Sequence, residues 1–224
     1  MSLVREAALV AGKDLRIETR SRVVLSQVLP FGVIVLFLFA FALDPDRGVL
    51  KKAAPGLFWV AVLLSVILAV GRAFQIEAQH GGRDGLRLSG LDGAAIFLGK
   101  AAAVAVELAL LEVVLGFGVV ILYDVPPDNA GVLLLAGSAA TISLAALGTL
   151  YGVIASGLRV RETLLPLLLL PAVIPVMLGA TRSFEAALDN RVRDAWPWVG
   201  LLGLFAVIAT TMGVLAFGAL LEES

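Results

Sequence analysis

Six apolar runs, at about 23–43, 56–74, 101–123, 131–156, 163–180 and 198–221, decide what this chain can fold into. Each is close to the ~20 residues a helix needs to cross the ~30 Å hydrocarbon core of a bilayer. Within that core the backbone must satisfy its own hydrogen bonds. The chain therefore reads as an all-α integral membrane protein, one transmembrane domain over residues 1–224. Composition agrees: 60% of residues are hydrophobic and 16% charged, against about half and about a quarter in soluble domains. Ala40-Phe41-Ala42 imitates a signal-peptidase site, but the charged leader is too long and the apolar run is of span length, so the first run is expected to stay as a helix.

Residues 1–22 place Val4, Ala7, Ala8, Ala11 and Leu15 at helical spacing, opposite Arg5, Glu6, Lys13, Arg16 and Glu18. This predicts an amphipathic interfacial helix, interrupted at Gly12, leading into the first span. Six spans put both termini on one side. That side carries eleven Lys and Arg residues and the other six, so the positive-inside rule places both termini in the cytoplasm. A five-span alternative is disfavoured by the same count. Trp196-Pro197-Trp198 reads as an aromatic anchor at the membrane surface.

The fifth run carries Pro166, Pro171 and Pro175. Each proline removes a backbone donor and crowds the carbonyl four residues back, so this helix is expected to kink or unwind twice. A kinked structural helix and a mobile or pathway-lining segment both fit. Glu107 and Glu112 lie inside the third run, where an ionised carboxylate costs about 2.5–3.5 kcal/mol to insert. Five residues apart on a helix, they do not share a face. They serve either a polar cavity or partner contact, or they are protonated, hydrogen-bonded structural acids. Gly148 and Gly152 form a small-residue face for close helix packing.

Several chemistries are excluded. The chain has no cysteine and a single histidine, His80, in a Gly-flanked turn where it reads as solvated. No disulfide, thiolate metal site or bis-histidine pair follows. Gly93 to Lys100 imitates a phosphate loop, but five residues separate the glycines where four are needed, and Ala101 replaces the Ser or Thr that would hold magnesium. There is no room for a folded nucleotide-binding domain, so any ATP is hydrolysed by another chain. No catalytic residue, metal site or nucleic-acid partner is expected; membrane lipid is.

The connection Gln75–Lys100 is the longest polar one. It carries Glu77, Arg83, Asp84 and Arg87 around Leu86, Leu88 and Leu91. An apolar patch rimmed by charge marks a contact surface: docking to a cytoplasmic partner, or packing under the bundle.

The Gly157-Leu158-Arg159 turn, followed by Leu-Pro171-x-x-Ile174-Pro175-Val176 and Gly179-Ala180, resembles the haem exporter permease family, the ABC-2-like membrane component of the cytochrome c maturation ABC transporter. So does Glu77…Gly82-x-Asp84-x-Leu86…Leu98-x-Lys100, although Asp84 stands where that family usually has Glu and Gly90 where Pro is common. The resemblance covers nearly the whole chain. It implies a six-helix fold similar to ABC-2 exporters, with an N-terminal elbow helix and a cytoplasmic coupling helix at about Arg83–Leu91. It also implies a bacterial inner-membrane location and a role in haem delivery for c-type cytochrome biogenesis. The implied partners are a cytoplasmic ABC ATPase subunit, a haem-handling membrane subunit and a small single-span subunit. The Trp-rich motif of the haem handler is absent, so haem is expected as a substrate of the complex and not as a cofactor of this chain. The alternative is a general ABC-2 small-molecule exporter using Glu107 and Glu112.

Overall fold

A computed structural model describes residues 2–43, 47–79, 90–156 and 161–223. Among them the chain is helical throughout: α1 (Leu3–Ser21), a π-helical turn (Val24–Val28) entering α2 (Leu29–Leu43), α3 (Arg47–Gln79), α4 (Gly93–Tyr123), α5 (Ala130–Ser156), α6 (Arg161–Leu188) and α7 (Val192–Glu223). Six segments are long and apolar enough to cross a membrane, so this is a multi-pass membrane protein. An even number of crossings leaves both chain ends on one side, called here the terminal side; the opposite is the far side.

Helices run beyond the apolar stretches that define them. α4 begins at Gly93, where Asp92 caps it by accepting from Ala94 N at 2.8 Å. Its 31 residues rise about 46 Å, well over the core thickness. α3 already starts at Arg47, ahead of the apolar run at 56–74, so Lys51 and Lys52 stand on helix. α6 continues to Leu188, which takes Arg182 and Glu185 onto helix as an exposed pair 2.9 Å apart. The reason is common to all three: a polar residue leaves the core without ending the backbone ladder, and continuing the helix satisfies each N–H and C=O locally. The loop before the last span shrinks to a turn at Asn190, whose φ is 57°. Trp196, Pro197 and Trp198 lie in the opening turns of α7.

α6 passes Pro166, Pro171 and Pro175 as one continuous helix, so of the two outcomes expected it does not unwind. The inward positions Leu165, Leu169, Val173, Val176 and Ala180, spaced three and four apart, are all buried, and their packing keeps the helical register where the prolines withdraw donors. Pro171 faces outward.

α1 is likewise continuous through Gly12, and of its apolar positions Ala7, Ala11 and Leu15 are partly buried while Ala8 is exposed. Val4 is 75% exposed, whereas Val10 is buried and Glu6, Asp14 and Glu18 lie on the partly buried side. Lipid-facing apolar groups lose nothing in a membrane, while carboxylates need protein partners. Glu18 supplies one such contact: its Oε1 accepts from Val24 N at 2.6 Å, bridging the left-handed Arg22 at the turn into the first span.

Candidate functional site

Two clefts, one on each side of the bundle, hold the polar groups of interest. On the terminal side, α3 ends at Gln79 and α4 starts at Gly93, so these two ends carry the 80–92 connection. The start of α4 is braced by α1. Gly99 has no side chain because an added Cβ would stand 2.6 Å from Ala7 O and from Val10 Cβ; α1 rests directly on the α4 backbone. One residue on, Lys100 is 7% exposed. A buried ammonium needs partners, and Lys100 Nζ lies 3.4 Å from Asp14 Oδ2 of α1 and 5.3 Å from the centre of the Phe74 ring of α3. The Phe74 ring occupies the space that a side chain at Gly152 of α5 would take. Asp92 N donates to Glu6 Oε2 at 3.4 Å, adding a second tie between α1 and the start of α4. Beside this brace is a cleft of about 510 Å³, where Arg72 and Gln75 bond each other at 3.2 Å near Gly71, Leu165 and Pro166.

Of the residues read as a coupling surface, Glu77 has its backbone in α3, and Leu91 is partly buried against the core. Arg83, Asp84, Leu86, Arg87 and Leu88 lie outside the described residues, as do His80 and the Gly157–Val160 turn. Gly93 to Lys100 is helical, so its backbone is not the open loop a phosphate requires.

On the far side, a cavity of about 490 Å³ lies between α3, α4, α5 and α6. Pro55, Phe58 and Phe184 form part of its apolar wall, and Glu112, Ser138 and Thr141 bring polar groups to it. Thr141 Oγ1 is 2.8 Å from each Glu112 carboxylate oxygen and 2.8 Å from Gly137 O, so its single proton is shared among three acceptors. Phe58 and Phe184 stack at 5.5 Å, and Trp59 meets both edge-on from behind. Glu107 does not line this cavity; it is partly buried toward α1, where Glu18 and Asp14 are its acidic neighbours. The two intramembrane glutamates are thus separated, as their spacing predicted. Above the cavity Asn129 Nδ2 donates to Ala187 O at 2.9 Å and ties two far-side turns together. Nearby, Asp189 bonds the Arg191 guanidinium at 2.9 Å and raises its pKa further.

Asp14, Thr141 and the Phe58–Phe184 stack carried no signal in the sequence, and Lys100 entered there only in the topology count, the rejected phosphate-loop pattern and the family resemblance, with no partner assigned. Lys100 did carry a signal, a lone lysine at the head of an apolar run.

Similarity to known proteins covers almost the whole chain. The family described as CcmB protein matches residues 5–224. Heme exporter protein B of Paracoccus denitrificans is 30% identical over 211 residues, 92% of this chain and 93% of that protein. Its counterpart in Pseudomonas aeruginosa is 29% identical over 210 residues, 93% and 94% of the two chains. That of Escherichia coli K12 is 30% identical over 211 residues, 94% and 95%.

Proposed function

Since the chain belongs to the CcmB family, we propose that it is the membrane subunit of an ABC transporter acting in haem delivery for c-type cytochrome biogenesis. ATP hydrolysis occurs on a separate cytoplasmic ABC ATPase, and this chain turns it into rearrangement of its spans. A haem-handling membrane subunit and a small single-span subunit complete the complex, in the bacterial inner membrane with both termini cytoplasmic.

The observation that carries this reading is the Lys100 brace. Force applied to the 80–92 connection enters the bundle through the end of α3 and the start of α4. Those are the two places where Phe74 and Lys100 meet, with Asp14 holding α1 against them. A push on the connection is then shared among α1, α3, α4 and, through the seat at Gly152, α5. α6, which carries three prolines and puts Leu165 and Pro166 on the terminal-side cleft, is the helix that yields. Haem is the substrate of the assembled complex. Glu77, Arg83, Asp84, Leu86, Arg87, Leu88 and Leu91 form the surface that meets the ATPase.

The test is co-purification of the tagged chain with its ATPase and haem-handling partners, wild type against Asp84→Lys/Leu88→Asp, followed by ATPase assay and haem absorbance. The wild type is expected to retain both activities in one complex, and the double variant to lose the ATPase. A wild-type chain that purifies alone and colourless overturns the reading.

A further inference from the structure

The far-side cavity is apolar and holds one carboxyl group. Its walls are Pro55 and Phe58 from α3, Ser138 and Thr141 from α5, and Phe184 and Leu188 from α6, with Glu112 from α4. Glu112 is the one ionisable side chain among the lining residues. Its described hydrogen-bonding partner is the neutral hydroxyl of Thr141. An ionised carboxylate in such a place is expensive unless a positive charge arrives. The walls provide none, so Glu112 stays protonated when the cavity is empty and, when ionised, takes its counter-charge from a ligand.

The surroundings restrict what that ligand is. A divalent cation takes six or more oxygen ligands or keeps its water, and this cavity has the Glu112 carboxylate, two hydroxyls and mostly hydrocarbon. A hydrated ion does not fit that chemistry. An organic cation with an apolar body does: hydrocarbon meets hydrocarbon along a wall that includes Phe58 and Phe184, and a spread positive charge meets Glu112. The route in is lateral. Val106 and Val113 of α4 and Leu134 and Ile142 of α5 line the cavity and are exposed on the bundle's outer surface, so a molecule dissolved in the membrane reaches the cavity without crossing water.

We propose that the cleft around Glu112 and Thr141 is a binding site for membrane-soluble organic cations, entered from the lipid on the far side. The site is distinct from the terminal-side brace and does not depend on haem delivery.

The test uses the purified chain in lipid nanodiscs and radiolabelled tetraphenylphosphonium, a lipophilic cation, with triphenylphosphine as the neutral comparison. Saturable binding of tetraphenylphosphonium is expected for the wild type. Glu112→Gln, which keeps the Thr141 hydrogen bond and the shape, is expected to weaken it about tenfold or more while leaving binding of the neutral compound unchanged. Glu107→Gln, an intramembrane carboxyl outside the cavity, is expected to bind as the wild type does. Thermal melting and size exclusion show that each variant is folded. No saturable binding by the wild type overturns the proposal. So does equal binding by Glu112→Gln, or equal loss in both variants.

Discussion

Lys100 Nζ of α4 stands 3.4 Å from Asp14 Oδ2 of α1, with the lysine side chain 9% and the aspartate side chain 20% exposed. Breaking such a part-buried contact from one side leaves the other group short of solvation, whereas replacing both partners by apolar groups of similar size is close to neutral. Asp14→Ala is expected to cost about 1–3 kcal/mol, read as a lower melting temperature in detergent. Asp14→Leu combined with Lys100→Met is expected to melt nearer the wild type than the two single effects predict. Strict additivity would show that the pair does not act as a unit.

Gly152 and Phe74 make a similar seat without charge. An added Cβ at Gly152 meets the Phe74 ring, so Gly152→Leu must displace it, at about 1–3 kcal/mol. The displaced ring leaves the Lys100 ammonium, so the same variant is expected to weaken coupling between ATPase turnover and haem release. Adding Phe74→Ala to Gly152→Leu makes room for the new side chain and should recover much of the melting temperature without restoring coupling. Recovery of both would separate Phe74 from the Lys100 brace.

Tyr123 closes the far end of α4. Its phenol, 1% exposed, donates to Leu36 O of α2 at 3.0 Å. Tyr123→Phe removes one hydrogen bond and keeps the ring, so a loss of about 0.5–1.5 kcal/mol is expected. Trapping a cysteine introduced in α2 with a membrane-soluble reagent would report faster labelling in the variant if this bond holds the two helices together.

Fold and site were unequally legible in the sequence. Hydropathy marks where a chain must be apolar, which is why six runs located six spans. It says little about where a helix stops, because Lys51, Arg182 and Glu185 can stay on helix once outside the core. The inward face of α1 is a related case: against lipid Val4 points out, and Asp14 turns in toward Lys100. Glu112 stood out as a charge inside a span. Its partner Thr141 did not, since a threonine in a span is common and only the crossing of α4 with α5 brings them together. The Lys100 brace joins residues 86 apart in the chain, so the lone lysine at the head of its run gives no sign of which residue it meets.

Ser65 gives a stability test free of function. Its Oγ is fully buried and has no hydrogen-bond partner among the described residues. It also lies 2.9 Å from where a Cβ on Gly32 would stand, at the closest approach of α2 and α3. A buried unsatisfied hydroxyl is a net cost, and alanine is the better helix former. Ser65→Ala is expected to raise the melting temperature, with haem delivery unchanged; a fall would mean the hydroxyl has a partner in the assembled complex.

The three prolines of α6 allow stability and movement to be set against each other. Pro171 and Pro175 each withdraw an N–H from the ladder, and the carbonyl that Pro175 leaves without its usual donor belongs to Pro171 itself, four residues back. Consecutive gaps of this kind weaken one stretch of helix, while Leu169, Val173 and Val176 keep it packed. Replacing both prolines by alanine returns two donors and relieves two ring clashes, so the melting temperature is expected to rise by the equivalent of about 1–3 kcal/mol. If α6 is the helix that yields under the ATPase stroke, the same change stiffens it, and cytochrome assembly in cells falls although the protein is more stable and its complex forms normally. A purely structural role for the prolines predicts unchanged or improved assembly. Scoring melting temperature, ATPase co-purification and cytochrome assembly on one Pro171→Ala/Pro175→Ala variant therefore decides between the two readings, because only a moving helix loses function while gaining stability.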